Sequence, residues 1–122
     1  MIKRGKRHDC FQNAGRAILS ESNPALRYCE GYLTVGPVKA HHAWIENGET
    51  GELHEVTIPK TFSLRGIKTT RPPREQYVAV VRLSKPEYVT ECFKQGIQAG
   101  IGPLLDENTF ELPNVAESEE TA

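Results

Sequence analysis

Apolar and polar positions alternate with several different periods along this chain. After Asp9, the residues Phe11, Ala14, Ile18 and Leu19 recur at three-to-four spacing, which predicts a helix with Asp9 as its N-cap and Cys10 in its first turn. A turn around Ser20 to Pro24 leads into Arg27 to Val35, whose β-branched and aromatic content predicts a strand ended by Gly36-Pro37. His41 to Glu46, Asn47 to Gly51 and Glu52 to Ile58 together form a β-hairpin signature with Asn-Gly in the turn. Pro59 to Gln76 is irregular and reads as a long loop with room for one short element. Gln76 to Leu83 is continuous enough in apolar residues to predict a buried strand. Ser84 and Glu87 then give a capping-box start to a second helix. Its predicted apolar stripe is Tyr88, Val89, Cys92, Phe93 and Ile97, and its predicted end lies near Gly100 or Gly102. From Asp106 onward there are six acidic residues and no Lys or Arg, and Pro113 to Ala122 has little to pack, so residues 113–122 are expected to be a disordered acidic tail. The expected fold is α+β in a single domain over residues 1–112: a Cys-bearing N-terminal helix on a small antiparallel sheet, with a C-terminal helix.

Composition narrows the function classes. The 122 residues suit one domain, and 15 Lys+Arg against 16 Asp+Glu leave a net charge of −1, which argues against a general nucleic-acid binder. No apolar run approaches the roughly 20 residues of a membrane-spanning helix. The basic stretch from Met1 to Arg7 is followed by His8-Asp9-Cys10 rather than the apolar core of a secretion signal, so a cytoplasmic location is expected. Cys10, Cys29 and Cys92 are an odd number without paired spacing, which speaks against a disulfide framework and leaves at least one free thiol.

A nucleophilic thiol needs a site that favours thiolate, a histidine to take its proton and a group to orient that histidine. Cys10 at a helix start meets the positive end of the helix dipole. His42 opens one arm of the hairpin, and a four-residue loop over Asn47 to Thr50 would pair Glu46 with Gly51, Trp44 with Leu53 and His42 with Glu55. A slip of one residue would put Val56 opposite His42 instead. His41 points to the opposite face of a regular strand, so only one of the two histidines can meet Cys10. Cys29 and Cys92 fit packing roles, Trp44 fits a core or pocket-wall role that could shield His42, and Glu30 reads as a solvent-facing strand carboxylate with a backup part as the acid. Cys10, His42, His54 and Glu55 are also zinc-ligand types, but adjacent His54 and Glu55 face opposite ways and no metal-binding spacing is present.

In order, Cys10 on a helix, Leu26-Arg27-Tyr28-Cys29-Glu30-Gly31-Tyr32, His42-Ala43-Trp44 and Glu55-Val56-Thr57 resemble the core of the transglutaminase-like group of papain-like thiol enzymes. The likeness covers about half the chain, from Asp9 to Ile58, and its small size resembles minimal phage or bacterial effector-like members. Glu55 and Val56 stand where that group usually has Asp and Pro. The resemblance implies a papain-like fold and a Cys10-His42-Glu55 triad that forms a thioester at an amide or ester carbonyl, with no metal or cofactor. For the oxyanion, the backbone N–H of Cys10 and the side chain of Gln12 are the candidate donors.

The expected activity is therefore that of a small thiol hydrolase or acyl transferase, of peptidase, deamidase or transglutaminase type, with a protein or peptide substrate. A catalytically silent protein of the same fold, acting as a binding or inhibitor protein for a macromolecule, is the alternative. Its contact features would be the basic Lys60, Arg65, Lys68, Arg71 and Arg74 and the acidic tail.

Overall fold

A computed structural model describes residues 9–64 and 66–105. The basic N-terminal stretch and the acidic tail lie outside the described residues, as does Arg65. The chain forms helix α1 (Cys10–Ser20), strands β1 (Leu26–Val35), β2 (Val38–Asn47), β3 (Leu53–His54), β4 (Thr61–Leu64), β5 (Ile67–Thr70) and β6 (Tyr77–Leu83), and helix α2 (Lys85–Gln95). The class is α+β. A four-stranded antiparallel sheet has the order β3-β2-β1-β6, while β4 and β5 form a separate hairpin.

β1 and β2 are the centre of the molecule. They pair along their whole length, from Leu26↔Asn47 to Val35↔Val38, around the two-residue loop Gly36-Pro37. Alternation sorts their side chains. Tyr28, Ala43 and Ile45 face the helices and pack with Ala14 and Ile18 of α1 and Tyr88 and Cys92 of α2. Cys29, Leu33 and Trp44 face the other way and pack with Tyr77 of β6, with Leu53 and Ile58 against them. Both faces of this hairpin are thus covered, which is why its inward- and outward-pointing residues alike are largely apolar.

The neighbouring strands differ from the sequence-based expectation. β6 is an edge strand with Val78 and Val80 exposed, so its apolar run is half-exposed and not a fully buried strand. A bulge in the β1–β6 register falls between Glu30 and Gly31, and a Cβ at Gly31 would lie 2.0 Å from the carbonyl oxygen of Val78. Only glycine permits that backbone approach. The stretch expected as a loop after Pro59 folds into the β4–β5 hairpin and a single 3-10 turn over Arg74–Gln76.

α2 begins as expected, with Ser84 Oγ accepting from Glu87 N (3.3 Å) and Glu87 Oε1 accepting from Ser84 N (2.8 Å). It ends earlier, at Gly96 in the left-handed region. Its buried face is Tyr88 and Cys92, while Val89 and Phe93 of the predicted stripe point outward, Phe93 at 86% exposure. The two narrow rows of that stripe compete for one small contact surface, and the row that includes the tyrosine wins. No helix among the described residues is long and apolar enough to cross a membrane.

Candidate active site

Cys10 is the first residue of α1 and is buried at 9% exposure. Asp9 occupies the cap position, but its side chain makes no capping hydrogen bond; the first helical bond runs from Asn13 N to the carbonyl of Asp9 (2.8 Å). The first-turn N–H groups of α1 have no acceptors within the helix, so this end presents a field favourable to negative charge.

β2 brings His42 to that helix start. β3 pairs with β2 only at Ile45↔His54 and Glu46↔Leu53, so the edge of β2 beyond Ile45 has no strand partner on that side. α1 packs on β2, and His42 hydrogen-bonds to Cys10. On its other side His42 Nε2 meets Glu55 Oε2 at 2.8 Å, with both side chains buried. Because Nε2 is engaged by the carboxylate, Nδ1 is the ring nitrogen left for the thiol.

The hairpin register is not the expected one. Ile45 stands opposite His54, so continuing the ladder would set Glu55 opposite Trp44 and not opposite His42. The displacement is two residues, and a two-residue shift leaves every side chain on the face it already occupied. His42, Trp44 and Glu55 therefore still share a face, and Glu55 reaches His42 diagonally. The turn explains the shift: Asn47 remains in the ladder through Asn47 N to Glu52 O (2.8 Å), and its side chain accepts from Glu49 N and Thr50 N. Asn47 thus heads an Asx-type turn, and the loop runs over Gly48 to Gly51 and not over Asn47 to Thr50.

Glu55 is saturated with partners. Oε1 accepts from Thr57 N (3.0 Å) and Ile58 N (3.2 Å), and Oε2 accepts from the Tyr77 hydroxyl (2.6 Å) as well as facing His42. Burial works against ionisation of Glu55, but its bonds to His42, Tyr77 and the backbone prevail and hold the carboxyl below the usual range. Burial also disfavours a charged His42. Hydrogen bonds to Cys10 and Glu55, with the negative charge of both, overcome it and raise His42 to about 9. The ring sits between the Glu55 carboxylate and the Cys10 sulfur.

Two participants were not visible as such in the sequence. Tyr77, from β6, packs against the rings of His42 and Trp44 and carries the hydroxyl that holds Glu55. Asn13, one turn after Cys10, donates from Nδ2 to Thr57 Oγ1 (2.9 Å), tying the thiol-bearing helix to the segment that carries the acid. Gln12 is half-buried in the same first turn. Trp44 is fully buried, stacks near His42 with ring centroids 5.9 Å apart and donates Nε1–H to Glu46 Oε2 (2.9 Å), so it shields the histidine from behind.

Glu30 does not face solvent. Its side chain is fully buried, and it accepts from the Tyr28 hydroxyl, from Leu104 N (2.8 Å) and Leu105 N (2.7 Å), and pairs with His41 Nε2 (2.7 Å). Cys29 and Cys92 are buried, and burial pushes both thiols up. Of the four zinc-type residues His54 stays apart and faces Glu52 at 3.6 Å, and among the described residues no three His, Cys, Asp or Glu side chains are grouped to hold a metal ion. Arg71 and Arg74 of the basic stretch spend donors on the backbone carbonyls of Ile58 and Gly51, and Arg74 and Arg82 both reach Glu46.

No family model, curated protein or solved structure matches this chain.

Proposed function

We propose that the protein is a small thiol hydrolase or acyl transferase acting on an amide through Cys10, His42 and Glu55, with a papain-like, transglutaminase-like core. The observation that carries this reading is the position of one histidine: His42 is hydrogen-bonded to Glu55 on one side and to Cys10, at a helix start, on the other. A buried thiol with a packing role needs neither partner.

In this mechanism the Cys10 sulfur, as thiolate beside cationic His42, attacks the carbonyl carbon and the carbonyl electrons move onto oxygen. Backbone N–H groups of the first turn of α1, that of Cys10 included, would stabilise the oxyanion, with Gln12 as a side-chain candidate. Collapse of the tetrahedral adduct expels the amine, which takes the proton from His42, and leaves a thioester on Cys10. His42, now neutral, removes a proton from water or from an acceptor amine as that nucleophile attacks the thioester. Glu55 keeps the imidazole oriented and stabilises its charged form throughout.

The test is acylation by p-nitrophenyl acetate followed by intact mass spectrometry and peptide mapping. The expected result is one acetyl group on Cys10, absent in Cys10→Ala and strongly slowed in His42→Ala. Equal labelling of the three cysteines, or an unchanged rate in His42→Ala, would overturn the reading and turn the search to binding partners.

A further inference from the structure

On the face of the sheet opposite the helices, a cleft of about 250 Å³ lies between the tip of the β1–β2 hairpin and the β4–β5 hairpin. Leu33, Val38, Ala40 and His42 line it from the β1–β2 hairpin, and Ile58, Phe62 and Leu64 from the chain that follows Glu55. Among the described residues no Lys, Arg, Asp or Glu lines it, and His42 is the one titratable group there. The Thr57 hydroxyl on its rim is engaged by Asn13.

We infer that this cleft is the specificity pocket of the reaction proposed above, and that it takes an uncharged aromatic or branched aliphatic group attached close to the carbonyl that Cys10 attacks. The inference rests on that functional reading and adds the substrate class. Three features select the occupant. Continuity comes first: the proton-transfer residue is part of the cleft wall, so a group seated there is held within a few bonds of the reacting carbonyl. The lining comes second, because a charged side chain placed there would be stripped of water without a counter-charge, whereas an apolar one gains by burial. Size is the third. The volume falls below the roughly 300–1,000 Å³ of pockets that enclose a whole drug-sized ligand, which suits one side chain of a substrate whose remainder stays outside.

β4 and β5 owe their place to this reading as well. Their hairpin is inserted between the segment that carries the acid and β6, and its inward residues Phe62 and Leu64 are half-buried against the cleft. Substitutions in this hairpin should therefore alter substrate choice.

The experiment compares Cys10 acylation by the p-nitrophenyl esters of acetate, 3-phenylpropionate and succinate in the wild-type chain, Ala40→Phe and Phe62→Ser. Ala40 is exposed, so a larger side chain there fills the cleft without repacking the core. The expected kcat/KM for phenylpropionate exceeds that for acetate by about tenfold or more, the charged succinyl donor is no better than acetate, and Ala40→Phe brings the phenylpropionate-to-acetate ratio down towards one. Phe62→Ser lowers the same advantage several-fold. In parallel, N-acetylphenylalaninamide and N-acetylaspartamide are titrated into Cys10→Ala and followed by amide chemical shifts of residues 38–40 and 58–64. Selective shifts with the phenylalanine compound support the pocket, even if no ester acylates Cys10, an outcome that would remove only the catalytic reading. Acylation of Cys10 at equal rates by all three esters, insensitive to Ala40→Phe, would overturn the pocket and leave the catalytic reading standing. Absence of cleft shifts with either amide would likewise overturn it. A peptide amide with Phe beside the scissile carbonyl, assayed against the free phenylpropionyl ester, distinguishes a peptide source of the apolar group from a small-molecule one.

Discussion

His41 and His42 are neighbours on β2, and each sets Nε2 against a fully buried glutamate, at 2.7 Å to Glu30 and 2.8 Å to Glu55. The chemistry of the two pairs is nearly the same, and their surroundings are not. Glu30 also holds the Tyr28 hydroxyl and the backbone N–H groups of Leu104 and Leu105, so its pair fastens the chain after α2 to the sheet, and the His41 ring lies edge-on to Phe11. Glu55 holds its own loop through Thr57 N and Ile58 N, and its histidine goes on to a thiol at a helix start and to the wall of an apolar cleft. A His-carboxylate pair by itself therefore says little about catalysis. What the ring touches beyond the carboxylate decides between a staple and a site.

The sharpest break of this comparison is a double dissociation. His42→Ala should lower Cys10 acylation near neutral pH by on the order of 10³-fold, as expected when a base acting together with its nucleophile is lost, with a loss of urea stability that shrinks as pH rises through about 9. Glu30→Ala should do the reverse: it strands two backbone donors, a tyrosine hydroxyl and His41 in the interior and should cost about 3–5 kcal/mol in urea unfolding, in the range for breaking a buried pair. If Glu30→Ala left stability intact but abolished acylation, the two pairs would have exchanged roles.

Within the Glu55 pair, Tyr77→Phe removes one bond to the carboxylate. It should destabilise the protein by about 1.5–3 kcal/mol, the range for a hydrogen bond to a charged group, and lower acylation several-fold, because Glu55 is then held by fewer groups. Asn13→Ala should be milder, about 1 kcal/mol for a neutral hydrogen bond, with a larger effect on kcat than on KM since it loosens the helix-to-acid distance.

The pH dependence sharpens the contrast at the smallest scale. His42 is raised from an ordinary 6.5 to about 9 in the folded protein, so the stability it contributes is complete below pH 6.5 and is lost as pH rises through about 9. Glu55 is lowered, so its contribution is present above the ordinary carboxylate range and is lost as pH falls through its depressed value. Thermal melts of wild type against His42→Gln between pH 6 and 10 should show a decline in the former that is much reduced in the latter.

Several of these features could be read from local sequence. Asp9-Cys10 at a helix start, the Ser84 and Glu87 box and the face shared by His42, Trp44 and Glu55 depend on contacts a few residues apart, or on strand parity, which survives the register shift. The pairing partner of His42 does not follow from the spacing because the side chain of Asn47 organises the turn, and that choice of turn is a competition among hydrogen bonds of similar strength. Phe93 belongs to the predicted stripe yet lies outside, because a helix stripe does not say how wide a surface awaits it.

The sequence by itself determined the α+β alternation, the strand carrying both histidines and the residue types of a thiol, a base and an acid in order. Only the tertiary structure decided that Glu55 reaches His42 from a ladder shifted by two residues, that Tyr77 and Asn13 brace the site, that Glu30 is interior, and that His42 lines an apolar cleft. The reason is range. Periodicity and capping report forces between residues close along the chain, whereas burial and hydrogen bonding of Glu30 to Leu104, or of Tyr77 to Glu55, join segments 74 and 22 residues apart and exist only after the sheet has closed.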